Sequence, residues 1–265
     1  MKPVRCTVPL RKGEAKSKNE HYARTTRQSG EDSRRLLGPP LRGCSRCVRR
    51  HRAKRPRCVC GDARRVSSKL VDVGCGTGTL ATMLVGTGID VVAVDPSSAA
   101  LGVARVKPFA GAVHWILGTA PDLPRAEAEL AFMTANVAQE FLTDEQWAET
   151  LDAIRRVLRP GGRLVFESRN PQRRAWEGWT KERTHQTVEV DGEGQVESWV
   201  QLTSVDGEFV SFVGVTIFGR DGERVDETST LRFRSREALT RSLEEAGFTV
   251  DEVRDAPDRT GPAAS

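Results

Sequence analysis

The sequence predicts an α/β fold, with helices on both faces of a mostly parallel sheet and an additional antiparallel β insertion. From residue 69 onward, short apolar runs alternate with helical patterns, and such repeated strand–helix–strand units favour a parallel sheet. A glycine-rich turn joins the first apolar run to the first helical pattern. After Asn170 the pattern changes to alternating runs separated by Gly- and Asp-rich turns, which indicate β-hairpins.

The individual elements follow from these patterns in chain order. We expect strands at residues 70–73, 90–94, 112–116, 130–134, 163–167 and 248–253. We expect helices at residues 77–85, 98–105, 144–158 and 235–246. Thr143 and Gln146 are spaced as a capping box for the third helix, and Gly247 is a natural stop for the fourth. Pro160, Gly161 and Gly162 predict a turn before the strand at 163–167. About four antiparallel strands are expected between residues 187 and 233.

The first 67 residues differ in composition from the rest of the chain. Residues 1–69 hold 21 of the 41 lysines and arginines but only 5 of the 36 acidic residues, so the remainder is acidic. The segment lacks hydrophobic periodicity, and such a composition cannot bury enough apolar surface to offset its ordering entropy. We expect a disordered basic, Arg/Cys-rich tail at residues 1–67 and a folded domain at residues 68–265, with its antiparallel insertion at 185–234.

The tail also allows two other interpretations. Cys44, Cys47, Cys58 and Cys60 lie near His51, and two cysteine pairs can supply four thiolates for zinc. The C-x-C spacing of the second pair is tighter than in usual zinc sites, so we expect no metal. A basic tail can also contact nucleic acid, but the acidic remainder argues against a nucleic-acid partner.

No apolar stretch approaches the roughly 20 residues needed to span a bilayer, so we expect no membrane insertion. The chain begins without an apolar leader, which predicts a cytoplasmic protein whose cysteines are thiols.

The glycine-rich turn predicts a site for an adenosine-like ligand. It reads D-x-G-x-G-x-G from Asp72 to Gly78, whereas the dinucleotide fingerprint G-x-G-x-x-G/A would need a small residue at Thr79. An acid at Asp72 suits a ligand with an ammonium group and no pyrophosphate. Asp95 ends the second strand, where its carboxylate can accept hydrogen bonds from both ribose hydroxyls. The pattern therefore favours S-adenosylmethionine over a nicotinamide dinucleotide.

Four segments together resemble the class I S-adenosylmethionine-dependent methyltransferase family: VDVGCGTGTLA, VVAVDPS, HWILGTAPDLP and VLRPGGRLVF. The resemblance covers about residues 69–253. It implies a Rossmann-like sheet and transfer of a methyl group from S-adenosylmethionine to a small-molecule acceptor by in-line displacement. The cofactor contacts that it implies are Asp72, Gly74, Cys75, Gly76, Gly78, Asp95, Pro96, Thr119, Ala120 and Asn136. Thr119 departs from the family, which often has an acidic residue there to reach the adenine amino group.

Two residues are candidates for the chemistry. Asn136 follows the fourth strand, where the methyl group should face the acceptor, although an asparagine there can also simply cap the turn. His185 begins the insertion and is a candidate base, although a lone histidine is more often structural.

The acceptor site is expected in the segment that leaves the strand at 163–167. Trp176 and Trp179 can form an apolar wall there, and the arginines of the segment, Arg169 among them, can bind an acid group. Asn170 lies in the same segment. The alternative is a packed helix with a solvated basic face. The insertion would then cover the site.

Two other functions remain open at this point. An NAD(P)-dependent oxidoreductase would need a small residue at Thr79, and the single tyrosine, Tyr22, lies in the tail. A nucleic-acid-binding or nucleic-acid-modifying protein would use the basic tail. At the other end, Pro257 and Pro262 argue against the final antiparallel strand that the family usually has. We therefore expect that strand to be absent. Residues 1–67 also do not look like the helices that close over the cofactor in the family, so we expect an unusually open cofactor cleft and weak or lost activity.

Overall fold

The computed structural model of the protein describes residues 4–11, 69–190 and 192–254. The predictions for residues 12–68, including the zinc ligands, and for the segment after residue 254 lie outside the described residues. Val4–Arg11, within the predicted tail, forms a strand of the larger of two sheets. The composition of the tail did not indicate this strand.

The larger sheet has eight strands, and all of its strand pairs are parallel. Its strands are β1 (Val4–Arg11), β2 (Lys69–Val73), β3 (Asp90–Asp95), β4 (Val113–Leu117), β5 (Ala128–Met133), β6 (Leu158–Phe166), β7 (Ser168–Arg169) and β12 (Phe248–Arg254). Their order is β12-β1-β6-β5-β2-β3-β4, and β7 pairs with β1. The predicted parallel sheet is therefore confirmed, and its carboxyl edge collects the loops that follow β2, β3, β4 and β5.

The helices cover both faces of this sheet, as predicted. They are α1 (Thr79–Val85), α2 (Ser98–Ala104), α3 (Asp144–Val157) and α5 (Arg236–Glu245), whereas the short helix α4 (Lys181–Thr184) contacts strand Gly194–Asp206 of the insertion. Successive side chains of a strand point to opposite faces. Along β3, Val91 packs in one cluster with Ala81 of α1. Its neighbour Val92 packs on the other face, in a cluster with Leu151 of α3 and Leu239 of α5.

The boundaries of α3 show how local sequence sets the ends of a helix. The Thr143 hydroxyl accepts a hydrogen bond from the backbone N–H of Gln146, and the Gln146 side chain accepts one from the N–H of Thr143. This reciprocal capping box confirms the predicted helix start. On its buried face, the Trp147 indole N–H donates to the Ser242 hydroxyl at 2.8 Å, which ties α3 to α5.

The predicted turn at residues 160–162 is part of β6 instead. Ala128 of β5 pairs with Leu158, whereas Leu130 pairs with Arg163, so the register shifts between these two pairs. The intervening Arg-Pro-Gly-Gly segment is accommodated as an irregularity within the strand. Gly161 adopts a φ of 82°, a conformation that a glycine tolerates without a Cβ clash.

The insertion is an antiparallel sheet of four strands, as predicted. Its strands are β8 (Gln186–Val190), β9 (Gly194–Asp206), β10 (Phe209–Phe218) and β11 (Arg224–Arg232), in the order β11-β10-β9-β8. One cluster of buried side chains on this sheet includes Val200, Val210 and Leu231, and it also contains Trp179 from the segment that enters the insertion. The inserted sheet thus packs against the segment that connects it to the parallel sheet.

Two arginines tie the end of the inserted sheet to the start of α3. Arg234 is only 3% exposed, and it donates hydrogen bonds to the carbonyls of Phe141 (2.8 Å) and Thr143 (3.0 Å). Arg232 pairs with Asp144 at 2.8 Å, and hydrogen bonding to Arg232 lowers the pKa of Asp144 below its ordinary value. Burial lowers the pKa of the Arg234 guanidinium, so desolvation is the main cost of this arrangement.

We expect Arg234→Met to lower the free energy of unfolding by about 2–4 kcal/mol, because two carbonyls would lose their buried donor. Chemical denaturation measures the change. Arg236→Met is the matched control, since Arg236 is exposed and its loss should be nearly neutral. Equal stability of Arg234→Met and the unmodified protein would contradict the proposed anchoring.

Candidate active site

The glycine loop is fixed to the neighbouring strand by its backbone. The N–H groups of Gly74 and Cys75 both donate to the carbonyl of Val94, at 2.9 and 3.1 Å. The loop therefore folds over the end of β3 and lies at the carboxyl edge of the sheet, where ligands of open parallel sheets bind.

The three loop glycines all have positive φ, but their surroundings differ. A Cβ on Gly78 would collide with the Trp115 ring and would lie 2.8 Å from the Cβ of Ala104. A Cβ on Gly74 would lie 2.6 Å from Val137. At Gly76 nothing lies within 4 Å. The lack of a side chain at Gly74 and Gly78 thus lets neighbouring side chains pack against the loop. At Gly76 it leaves open space in which a ligand can approach the backbone.

Asp95 connects the glycine loop to the turn after β3. One carboxylate oxygen accepts from the Gly76 N–H at 2.7 Å, and the other accepts from the Ser97 N–H at 2.9 Å. The residue is only 8% exposed. Each carboxylate oxygen has a second lone-pair direction, so the group can still accept hydrogen bonds from a ligand. The neighbouring Pro96 is exposed, and Asp72 is buried at the end of β2.

The turn after β4 contains an acidic residue, Asp122, that was not predicted from the sequence. Asp122 accepts a hydrogen bond from the Thr119 N–H at 2.7 Å and another from its hydroxyl at 3.2 Å. Thr119 is exposed, whereas Ala120 is buried. The T-x-x-D spacing is a capping-box signal that could have identified this contact.

The turn after β5 is strained. Ala135 and Asn136 have φ values of 54° and 64°, a left-handed conformation that is costly for residues other than glycine, although asparagine tolerates it best. The Asn136 side chain makes no capping hydrogen bond. Such local strain is found most often at functional sites. Gln139, which ends the turn, is fully buried and was not identified from the sequence.

Gln139 connects this turn to the segment after β6. Its Oε1 atom accepts from the backbone N–H of Arg169 at 3.4 Å and from the guanidinium at 3.0 Å. The same guanidinium lies over the Trp179 ring, 5.6 Å from its centroid. Trp179 in turn packs against Phe212 of the inserted sheet, with ring centroids 4.8 Å apart.

The other residues suggested for the acceptor site lie in the same connecting segment. Trp176 packs edge-on against Phe233 at 4.7 Å, in the core of the inserted sheet. The Asn170 side chain accepts from the N–H of Gln172 and caps a short 3-10 turn. The structure thus brings Arg169 next to the turn after β5, and it places both tryptophans in a packed core.

His185 lies at the start of the inserted sheet. Its Nε2 atom is 3.0 Å from a carboxylate oxygen of Glu197, and its ring centroid is 5.9 Å from that of Trp199. The side chain is exposed on one side and is held by residues of the insertion.

Lys107 is a further residue beside the glycine loop that the sequence did not single out. Its ammonium donates to the hydroxyls of Thr79 (2.9 Å) and Thr77 (3.3 Å), and burial lowers its pKa. Lys107, which follows α2 in the chain, therefore links that region to the glycine loop and to the start of α1.

In the described part of the chain, no helix is long and apolar enough to cross a membrane. The same residues contain no cluster of three or more side chains suited to hold a metal ion.

Residues 70–162 match the model of a family described as a methyltransferase domain. This part of the chain is therefore similar to a methyltransferase domain. An uncharacterized methyltransferase of Mycobacterium tuberculosis is 38% identical to this chain over 122 residues, which are 43% of this chain and 44% of that protein. The malonyl-[acyl-carrier protein] O-methyltransferase of Serratia marcescens is 29% identical over 181 residues, 68% of this chain and 64% of that protein. The chain thus spans less than two thirds of each of these relatives.

Two solved structures share the fold of this chain. An amino pentose methyltransferase from Micromonospora echinaspora, solved with bound S-adenosylmethionine, superimposes with a TM-score of 0.56 at 20% identity. The match covers 70% of this chain and 77% of that one. DesVI of Streptomyces venezuelae also gives a TM-score of 0.56, at 19% identity over 68% of this chain and 75% of its own. At this identity the likeness establishes the fold.

The different surroundings of the glycines predict different costs of substitution. Gly78→Ala should lower the free energy of unfolding by about 2–4 kcal/mol, because left-handed strain adds to the collision with Trp115. Gly76→Ala should cost only the strain, about 1–2 kcal/mol. Chemical denaturation of both variants tests this, and equal losses would show that Trp115 does not limit the space at Gly78.

Proposed function

We propose that the protein transfers the methyl group of S-adenosylmethionine to a small-molecule acceptor. The observation that carries the proposal is the geometry around Asp95. Its buried carboxylate joins the N–H of Gly76, the loop glycine that faces open space, to the turn at Ser97. An adenosine placed along this edge would have its ribose hydroxyls within reach of a carboxylate and its remaining atoms against exposed backbone.

The residues present fit the cofactor in two further respects. The open space at Gly76 lets a ligand approach the backbone without meeting a side chain. The buried Asp72 at the end of β2 places a carboxyl group at the edge where a cationic ligand would lie. The similarity to a methyltransferase domain and the fold shared with a structure containing S-adenosylmethionine support the same assignment.

The reaction requires little acid–base catalysis by the protein. When bound, the cofactor supplies a methyl group already activated by its sulfonium, so catalysis can consist mainly of alignment. Asp95 and the glycine loop would fix one reactant. The turn at Asn136, which lies against Gly74 through Val137, would help to place the other. A base is needed only for an acceptor that is protonated in its ground state, and His185 is the candidate that we propose for that case.

The acceptor is proposed to bind between the turn after β5 and the inserted sheet. Arg169 is the residue best placed for this role, because its guanidinium contacts Gln139 of that turn and Trp179 of the inserted sheet's core. Asn170, Trp176 and Trp179 would shape the same region. A small acceptor fits the amino pentose named for the methyltransferase that shares this fold.

The proposal is tested by calorimetry with S-adenosylhomocysteine and NADH. We expect S-adenosylhomocysteine to bind and NADH not to bind. Asp95→Ala should weaken S-adenosylhomocysteine binding about tenfold or more, because hydrogen bonds to charged groups contribute about 1.5–3 kcal/mol. Asp95→Asn is the matched control for shape, since it keeps one acceptor oxygen and should lose less.

The opposite ligand preference would overturn the proposal. Tight NADH binding without binding of S-adenosylhomocysteine would point to an oxidoreductase. An unchanged dissociation constant in folded Asp95→Ala would remove this carboxylate from the ligand site.

A further inference from the structure

Lys107 places its half-buried ammonium beside the glycine loop. The ammonium donates hydrogen bonds to the hydroxyls of Thr79 at 2.9 Å and Thr77 at 3.3 Å. Burial lowers the pKa of this group, because desolvation disfavours its charged form. Lysines usually keep the ammonium in water, since the long side chain can reach the surface. The position of this ammonium therefore needs a physical explanation.

The two hydroxyls belong to residues on either side of Gly78. Thr77 lies in the glycine loop, whereas Thr79 is the first residue of α1. Gly78 between them has a φ of 74°, and its N–H donates to the carbonyl of Cys75 at 2.9 Å. One ammonium thus bridges the loop and the helix, and it restrains the point at which the chain turns from one into the other.

The turn that carries Lys107 has a second contact with the loop. This turn, residues 105–112, connects α2 to β4. The carbonyl of Ala110 accepts a hydrogen bond from the Trp115 indole N–H at 2.9 Å. The Trp115 ring lies in the space beside Gly78. The loop is therefore in contact with the Lys107 side chain and with a ring that is bonded to the same turn.

Backbone contacts fix the position of Lys107 within this turn. Its N–H donates to the carbonyl of Ala104 at 3.2 Å, and its carbonyl accepts from the N–H of Ala110 at 3.1 Å. Phe109 has a φ of 67°, a left-handed conformation that is unusual for a bulky residue. Its ring would lie 3.5 Å from a Cβ on Gly86, at the C-terminal end of α1. The turn therefore contacts α1 at both of its ends.

The residue before this bridge is the loop glycine that borders open space. The N–H of Gly76 donates to Asp95, and the next residue, Thr77, accepts from Lys107. Two side chains from different parts of the sheet thus hold adjacent loop residues. A loop that is already held in one conformation binds a ligand more tightly than a loop that must become ordered on binding.

We propose that Lys107 is a positioning residue for cofactor binding. Its ammonium holds Thr77 and Thr79, so that the backbone at Gly76 keeps the conformation that the cofactor meets. Lys107 acts through the loop and makes no contact with the cofactor itself. The turn between α2 and β4 thereby becomes a support of the candidate site. The inference rests on the proposed function and extends it to the residues that preorganise the glycine loop.

Calorimetry with S-adenosylhomocysteine tests this role. Lys107→Met should weaken binding about fivefold or more, because the loop loses two charge-assisted hydrogen bonds that keep it ordered. Lys107→Arg should restore most of the affinity, because the guanidinium keeps the charge and several donors. Arg105→Met is the matched control. It removes an exposed cation two residues away, so it should leave the dissociation constant unchanged.

A double-variant cycle with Thr79→Val shows whether Lys107 acts through the loop. Thr79 is exposed, so its replacement should not affect folding. Because Lys107→Met and Thr79→Val remove the same contact, the loss in the double variant should be smaller than the product of the two single losses. Chemical denaturation checks that each variant is folded. If Lys107→Met does not fold, Thr79→Val and Lys107→Arg still test the bridge, and weaker binding is expected only for Thr79→Val.

The outcomes distinguish this inference from the proposed function. An unchanged dissociation constant in folded Lys107→Met would overturn the inference and leave the proposed function standing. Equal losses in Lys107→Met and Arg105→Met would do the same, because they would reflect charge alone. Losses that multiply in the double variant, or a Lys107→Arg variant as weak as Lys107→Met, would also overturn it. If the unmodified protein binds no S-adenosylhomocysteine, both proposals are overturned.

Discussion

The carboxylate of Asp95 organises the carboxyl edge of the sheet. It lies at the end of a buried strand, and its two oxygens accept hydrogen bonds from the backbone N–H groups of Gly76 and Ser97. Hydrogen bonds to an ionised acceptor are stronger than neutral ones, and they fix both loops relative to β3. The backbone at Gly76, which borders open space, is therefore set by the same side chain that we propose as a ligand contact. Loss of this carboxylate would remove that proposed contact and release the loop at the same time.

Packing behind the site is equally constrained. The absence of a side chain at Gly78 lets Trp115 of β4 and Ala104 of α2 press against the loop, while the absence of one at Gly74 admits Val137. Two of the three glycines thus serve contacts within the protein. This explains why a glycine-rich turn is a weak indicator of a ligand when it stands alone: its pattern does not separate close packing from close approach of a ligand.

The sequence predicted features that depend on residues close together in the chain. The strand and helix periods, the Thr143–Gln146 capping box and the D-x-G-x-G-x-G loop are all local patterns, and the structure contains them. It did not predict the strand Val4–Arg11, whose pairing with β6 joins segments more than 150 residues apart. Nor did it predict Gln139, because its significance comes from Arg169, which is 30 residues away. Contacts of this kind follow from the register of the sheet and leave no short motif.

The inserted sheet is coupled to the candidate site at two points on one stretch of chain. At one end of that stretch, Gln139 contacts Arg169, whose guanidinium lies over Trp179 in the core of the insertion. At the other end, Arg234 donates to the carbonyls of Phe141 and Thr143, just after β11 ends. Residues 139–143 therefore contact Arg169, which precedes the insertion in the chain, and Arg234, which follows its last strand. The turn that holds Asn136 is thus linked to the inserted sheet from two sides, so the position of that sheet and the position of the turn depend on each other.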